Sequence, residues 1–137
     1  MFCLTAKQRD NSRMTIIEFN FFAIGIALIV YAINKVILTE SVTGSVFYFC
    51  TCYLNDLVCP LFFLGATQLL LNWAGGIKIT YMLGIIFVML AGCVWEFFAP
   101  VINSKATTDW IDLLCYFVGI HLYYILQISL QNRNQKI

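Results

Sequence analysis

The chain has 137 residues, of which 61% are hydrophobic and 11% charged, far from the roughly 25% charged content of an ordinary soluble domain. A soluble protein of this size could not hide so much apolar surface, so the composition points to a membrane protein and leaves no room for a separate water-soluble domain. A formal net charge of +1, with no basic run and no stacking platform, gives no basis for nucleic-acid binding.

Four apolar stretches, residues 16–38, 46–72, 77–98 and 110–130, each approach the roughly 20 residues that an α-helix needs to cross a bilayer core. The expected fold class is all-α: a polytopic four-transmembrane-helix bundle in which residues 1–137 form a single membrane domain. Four crossings put both termini on one side, together with the link between the second and third helices. That side carries Lys7, Arg9, Arg13, Lys78, Arg133 and Lys136, whereas the other carries only Lys35 and Lys105. The asymmetry places both termini in the cytoplasm. The first stretch exceeds the 7–15 residues of a signal-peptide core, so it reads as a span rather than a leader.

Residues 1–15 are polar and basic and read as a cytoplasmic tail. In the first helix Ala23, Gly25 and Ala27 are small enough for close helix contact. Glu18 is expected to snorkel at the inner border. Residues 39–45 form a turn. The second apolar run, 46–72, is longer than one crossing requires, which makes Phe47, Tyr48 and Phe49 an interfacial section and starts the crossing near Cys52 or Tyr53. Asn55 and Asp56 then lie about one turn inside the outer border. Pro60 is expected to kink this helix and partly unwind the Asp56 turn.

After the inner turn at Gly75-Gly76, the third helix places Met82, Ile85, Met89, Gly92, Cys93 and Glu96 on one face. Gly92 leaves space beneath Glu96. Pro100 is expected to end the helix, residues 103–108 to form the outer turn, and Thr108 to cap the fourth helix with Asp109 in its first turn. Asp109, Asp112, Tyr116, Gly119, Tyr123 and Gln127 form a polar and small-residue stripe that should point into the bundle. His121, the only histidine, lies on the opposite side. The six cysteines show neither metal-ligand spacing nor a disulfide framework and read as small packing residues.

The pattern Trp95-Glu96-x-x-x-Pro100, followed by Thr108-Asp109-x-x-Asp112-x-x-x-Tyr116-x-x-Gly119, resembles the VanZ-like (teicoplanin-resistance) family of small bacterial integral membrane proteins. Tyr53-Leu54-Asn55-Asp56-Leu57-x-x-Pro60 is similar to an earlier motif in its short four-helix members. The chain departs from the larger pattern at Tyr116, where asparagine is common, and at Tyr123, where glycine is common; Lys105 stands near a position often filled by arginine. The resemblance implies a four-helix topology and a place in a bacterial cytoplasmic membrane, and it gives weight to Asp56, Glu96 and Asp112.

Three kinds of function follow from these residues. In the first, Asp56, Glu96 and Asp112, with Asn55, Tyr116 and Lys105 nearby, form an outer-leaflet pocket for a polar or cationic envelope ligand, such as a lipid-linked precursor or an envelope-active antibiotic. Converging carboxylates repel one another, so a cation, a proton or Lys105 must compensate. In the second, the same acids bind Mg²⁺, another cation or a proton and pass it across the membrane; such oxygen ligands suit Mg²⁺ or Ca²⁺. No cofactor is expected apart from such a divalent cation. A pathway through four helices would need a homo-oligomer to enclose it. In the third, the acids only cap helices and pair internally, making the protein a structural membrane subunit. No nucleophile with an adjacent base supports an enzyme.

Overall fold

The protein is described from a computed structural model covering residues 6–102 and 109–134, and the regular structure of these residues is helical throughout. Helix α1 (Ala6–Ile33) passes into a π-helical turn (Asn34–Leu38) and a short final turn, α2 (Thr39–Ser41). Helices α3 (Gly44–Cys52) and α4 (Leu54–Gly75) meet at Tyr53, and α5 (Tyr81–Ile102) and α6 (Trp110–Asn134) complete the fold. Four segments are long and apolar enough to cross a membrane: Ile16–Leu38, Gly44–Gly75, Tyr81–Phe98 and Trp110–Asn132. They match the four stretches expected from the sequence.

The helix ends differ from those expectations in ways that follow from backbone chemistry. Helix α1 begins at Ala6, within the expected tail, because residues 6–15 contain no glycine or proline to stop it. Helix α5 continues through Pro100 to Ile102, since one missing N–H near a helix end does not prevent the next residues from reaching carbonyls four back. Pro60 likewise sits inside α4 without unwinding the Asp56 turn. It removes the N–H that would bond to the Asp56 carbonyl, while Leu57 N still donates to Tyr53 O at 3.0 Å. The discontinuity is at Tyr53 instead, whose φ of −116° departs from helical values. The expected turn at 103–108, including Lys105 and Thr108, lies outside the described residues.

Helix α4 is central. It packs against α1 on one side and α6 on the other, whereas α5 packs chiefly on α6. Phe19, Ala23 and Ala27 of α1 meet Leu61 and Leu64 of α4, and Tyr116, Ile120 and Tyr123 of α6 close the core. Ala23 and Ala27 lie one turn apart and are buried as expected, but Gly25 faces open space. The stripe on α6 points inward at Tyr116, Gly119 and Tyr123. Large apolar side chains such as Phe21, Leu70 and Val101 cover the outside, a surface suited to hydrocarbon rather than water.

At the end of the bundle near residue 76, polar groups satisfy one another. Tyr123 OH donates to Asn20 Oδ1 at 2.7 Å, and Asn20 Nδ2 donates to Ile16 O at 2.7 Å. The Gln68 amide holds the connection between α4 and α5 through Ile77 O and the N–H of Ile79, both at 2.8 Å. His121 is also satisfied. Its Nδ1 lies 2.8 Å from Phe117 O, a contact that needs a proton on Nδ1, so Nε2 accepts from Tyr81 OH at 2.7 Å.

Among the glycines of the described residues, Gly119 comes closest to the backbone of another helix: an added β-carbon would overlap the Leu57 carbonyl oxygen and sit 2.8 Å from Pro60 Cγ. Gly119→Ala is therefore expected to cost about 1–3 kcal/mol through overpacking. Gly25→Ala meets no neighbour and is expected to be neutral or to gain up to about 1 kcal/mol of helix propensity. Thermal unfolding of both variants in one detergent checks the difference; equal stabilities would contradict the close α4–α6 seam.

Candidate functional site

The opposite end of the bundle gathers the π turn after α1, the start of α4, the end of α5 and the start of α6, and with them most of the acidic side chains outside α1. On α4, Asp56 lies in the first turn. On α6, Tyr116 reaches across the seam and donates its hydroxyl to Asp56 Oδ1 at 3.0 Å. Gly92 makes room for that ring, since a β-carbon there would stand 2.7 Å from Tyr116 Cδ2. The space expected beneath Glu96 is thus filled by Tyr116.

Glu96 is only 7% exposed, and its Oε2 accepts the Asp109 N–H at 3.4 Å. Asp109 is itself the helix cap, rather than a first-turn residue behind Thr108. Its Oδ1 accepts from Ile111 N at 2.9 Å, the bond that an N-cap side chain makes to the second helical residue. Its other oxygen, Oδ2, accepts from Tyr53 OH at 3.1 Å and so ties the start of α6 to the α3–α4 joint. Asp112 makes no side-chain hydrogen bond among the described residues, and the charges of Asp56, Glu96 and Asp109 all act on it. Asp56, Glu96 and Asp112 therefore share one electrostatic neighbourhood. Lys105, the expected counter-charge, lies outside the described residues.

Two residues outside the expected pocket set organise the same end. Asn34, at the first position of the π turn and 1% exposed, uses both amide hydrogens: one bonds to Cys50 O at 2.7 Å, the other to Asn55 Oδ1 at 2.9 Å. Cys50 lies in the last turn of α3, where carbonyls lose their helical partners, so Asn34 fastens the end of α1 to that joint. Its own Oδ1 is buried and accepts no hydrogen bond from the described residues. Tyr53, at the joint, packs edge-on against Tyr48 as well as bonding to Asp109. Tyr53 was marked by the excess length of the second run and by its motif with Asn55-Asp56, whereas an asparagine in an apolar run was the only sequence signal for Asn34.

Beside these groups lies a cavity of about 580 Å³, within the range of roughly 300–1,000 Å³ for pockets that hold small molecules. Asn55, Asp56 and Tyr116 line one part of it; most of the remaining wall is apolar and comes from α1, α4 and α5. Glu96 and Asp112 are not among its lining residues. No three His, Cys, Asp or Glu side chains among the described residues are grouped as metal ligands. The cysteines at 50, 52, 59, 93 and 115 are free thiols.

No protein-family model, curated protein or solved structure matches this chain.

Asn34→Ala removes two buried hydrogen bonds and leaves the Cys50 carbonyl and Asn55 amide short of a donor. It is expected to lower stability by about 2–3 kcal/mol. Asn55→Ala removes only one of the two bonds and is expected to cost less. Denaturant titration in detergent tests the ranking, which a larger loss for Asn55→Ala would reverse.

Proposed function

We propose that the protein is a four-span membrane protein whose acidic end binds a polar, cationic ligand at the outer face of a bacterial cytoplasmic membrane. The observation that carries this reading is the cavity of about 580 Å³ in which Asn55, Asp56 and Tyr116 meet an otherwise largely apolar wall. A few polar groups converging on an apolar pocket are the usual composition of a ligand site. Asp56 supplies the charge, and the carboxylates of Glu96 and Asp112 add negative potential from beside the cavity. A positively charged ligand would relieve their mutual repulsion.

The orientation rests on charge and on tryptophan. Six of the eight basic residues belong to the end with both termini, which favours the cytoplasm for that end. Trp73 lies at the same end and is 90% exposed; Trp95 and Trp110 lie toward the acidic end and are also exposed. Such exposed tryptophans suit the two interfaces of a bilayer. Helix α4, with 22 residues, is about 33 Å long, enough for the hydrocarbon core. That leaves α3, with Phe47, Tyr48 and Phe49 exposed, at the outer interface. The resemblance of the Trp95–Gly119 and Tyr53–Pro60 patterns to the VanZ-like family supports an envelope role.

Binding is favoured over transport because most of the polar groups beyond the cavity are already paired. Tyr123 is bonded to Asn20, Gln68 to the α4–α5 connection, and Thr67 to its own helix at Phe63 O. A translocation path would have to break these bonds.

Asp56→Asn is expected to weaken binding of a cationic envelope agent to the purified protein in nanodiscs by about tenfold or more, the worth of one charge-assisted hydrogen bond. Glu96→Gln and Asp112→Asn should have smaller effects, because they act through potential rather than contact. Unchanged binding in all three variants, together with unchanged envelope-stress sensitivity of cells carrying them, would contradict the proposal. Proteoliposomes loaded with Mg²⁺ and pH reporters are expected to show no flux.

A further inference from the structure

The cavity has a direction as well as a volume. Tyr31 of α1, Asp56 of α4 and Trp95 of α5 lie toward its acidic end; Ala27, Phe63 and Val88 lie deeper on the same helices. Asp56 to Phe63, and Trp95 to Val88, each span about 10 Å along a helix at 1.5 Å per residue. Small residues at Ala27 and Ala91 hollow out the wall, and Leu28, Phe62 and Trp95 edge it. Those edge residues are on the outside of the bundle: Leu28 is 52% exposed and Trp95 65%. Because α1 packs chiefly on α4, and α5 chiefly on α6, the space between α1 and α5 opens sideways. In the proposed membrane placement that opening faces lipid.

The polar end offers acceptors. Asp56 accepts one hydrogen bond, from Tyr116, among the described residues, and Tyr116 has thereby spent its only hydroxyl hydrogen. Asn55, which also lines the cavity, accepts from Asn34 through its Oδ1. A head group that supplies several donors and a positive charge complements this end. A carboxylate or phosphate head would meet the negative potential of Asp56, Glu96, Asp109 and Asp112.

Building on the proposed carboxylate pocket, we infer that its occupant is an amine-headed amphiphile taken up sideways from the bilayer, with its ammonium on Asp56 and its hydrocarbon chain in the groove between α1 and α5. The head is selected by charge and the chain by shape. Chain burial contributes because the groove wall is apolar and preformed, and the exposed Trp95 at the groove edge reports on it directly.

The test uses full-length protein in nanodiscs of neutral lipid, with Trp73→Phe and Trp110→Phe leaving Trp95 as the only indole. Bromine-labelled dodecylamine is titrated against Trp95 fluorescence, alongside bromine-labelled dodecanol and dodecanoic acid, with unlabelled ethylamine as a competitor. Expected is saturable quenching by the amine, at least tenfold tighter than by the alcohol or acid, and weakened at least tenfold by Asp56→Asn. Ala91→Phe, which fills the groove, should abolish it, with Ala91→Leu as the milder variant should Ala91→Phe unfold; thermal unfolding establishes that each variant is intact. Ethylamine competing as well as unlabelled dodecylamine would overturn the role of the chain while leaving the carboxylate pocket standing. Equal binding of amine, alcohol and acid, indifferent to Asp56→Asn, would overturn both. Absence of saturable quenching by any amphiphile would overturn lateral uptake, and the polar pocket would then stand or fall on its own binding assay.

Discussion

The seam between α4 and α6 is the contact on which the acidic end depends. Gly119 lets the α6 backbone lie against Leu57 O and the Pro60 ring, and one helical turn along each helix from that crossing stand Tyr116 and Asp56. Their hydrogen bond at 3.0 Å is the direct consequence. Pro60 serves the same seam: its compact ring packs where α6 comes closest, and its missing N–H costs only the bond to the Asp56 carbonyl. Gly92 repeats the device on α5 by receiving the Tyr116 ring. Two glycines thus set Tyr116 between three helices, and Tyr116 sets the geometry of Asp56.

Around that fixed pair, like charges gather. The charges of Asp56, Glu96 and Asp109 all act on Asp112 near one end of an otherwise apolar bundle. Part of the cost is met locally: Asp109 caps α6 and receives Tyr53, and Glu96 receives the Asp109 N–H. Asp56 keeps an acceptor oxygen beyond its bond to Tyr116, and it lines a cavity. The other end of the bundle shows the contrast. There Asn20, Gln68, Tyr123 and His121 pair among themselves and with backbone groups, as purely structural polar residues should.

The four spans and the inward stripe of α6 were legible in the sequence because both are periodic. An apolar run of membrane length needs no partner to be recognised, and Asp112, Tyr116, Gly119 and Tyr123 recur at helical spacing. The excess length of the second run also located the joint near Tyr53. What was not legible depends on contacts between distant residues. Asn34 matters because a π turn brings it to the Cys50 carbonyl, and no local pattern encodes that meeting. The cavity arises from how α1 and α5 sit on α4 and α6, which Ala27 and Ala91 do not announce. Neither proline interrupts its helix: Pro60 lies inside α4, and α5 runs through Pro100 to Ile102.

The claim at the centre is that α1 and α5 are held apart over Asp56, so that a groove leads from the lipid-facing side to a carboxylate. The most direct measurement is a structure of the protein in a lipid nanodisc by electron microscopy. Expected is elongated density between Leu28 and Trp95 that ends at Asp56, with Tyr116 still bonded to its carboxylate. A bundle in which α1 packs directly on α5, with Leu28 against Trp95 and no groove between them, would contradict it.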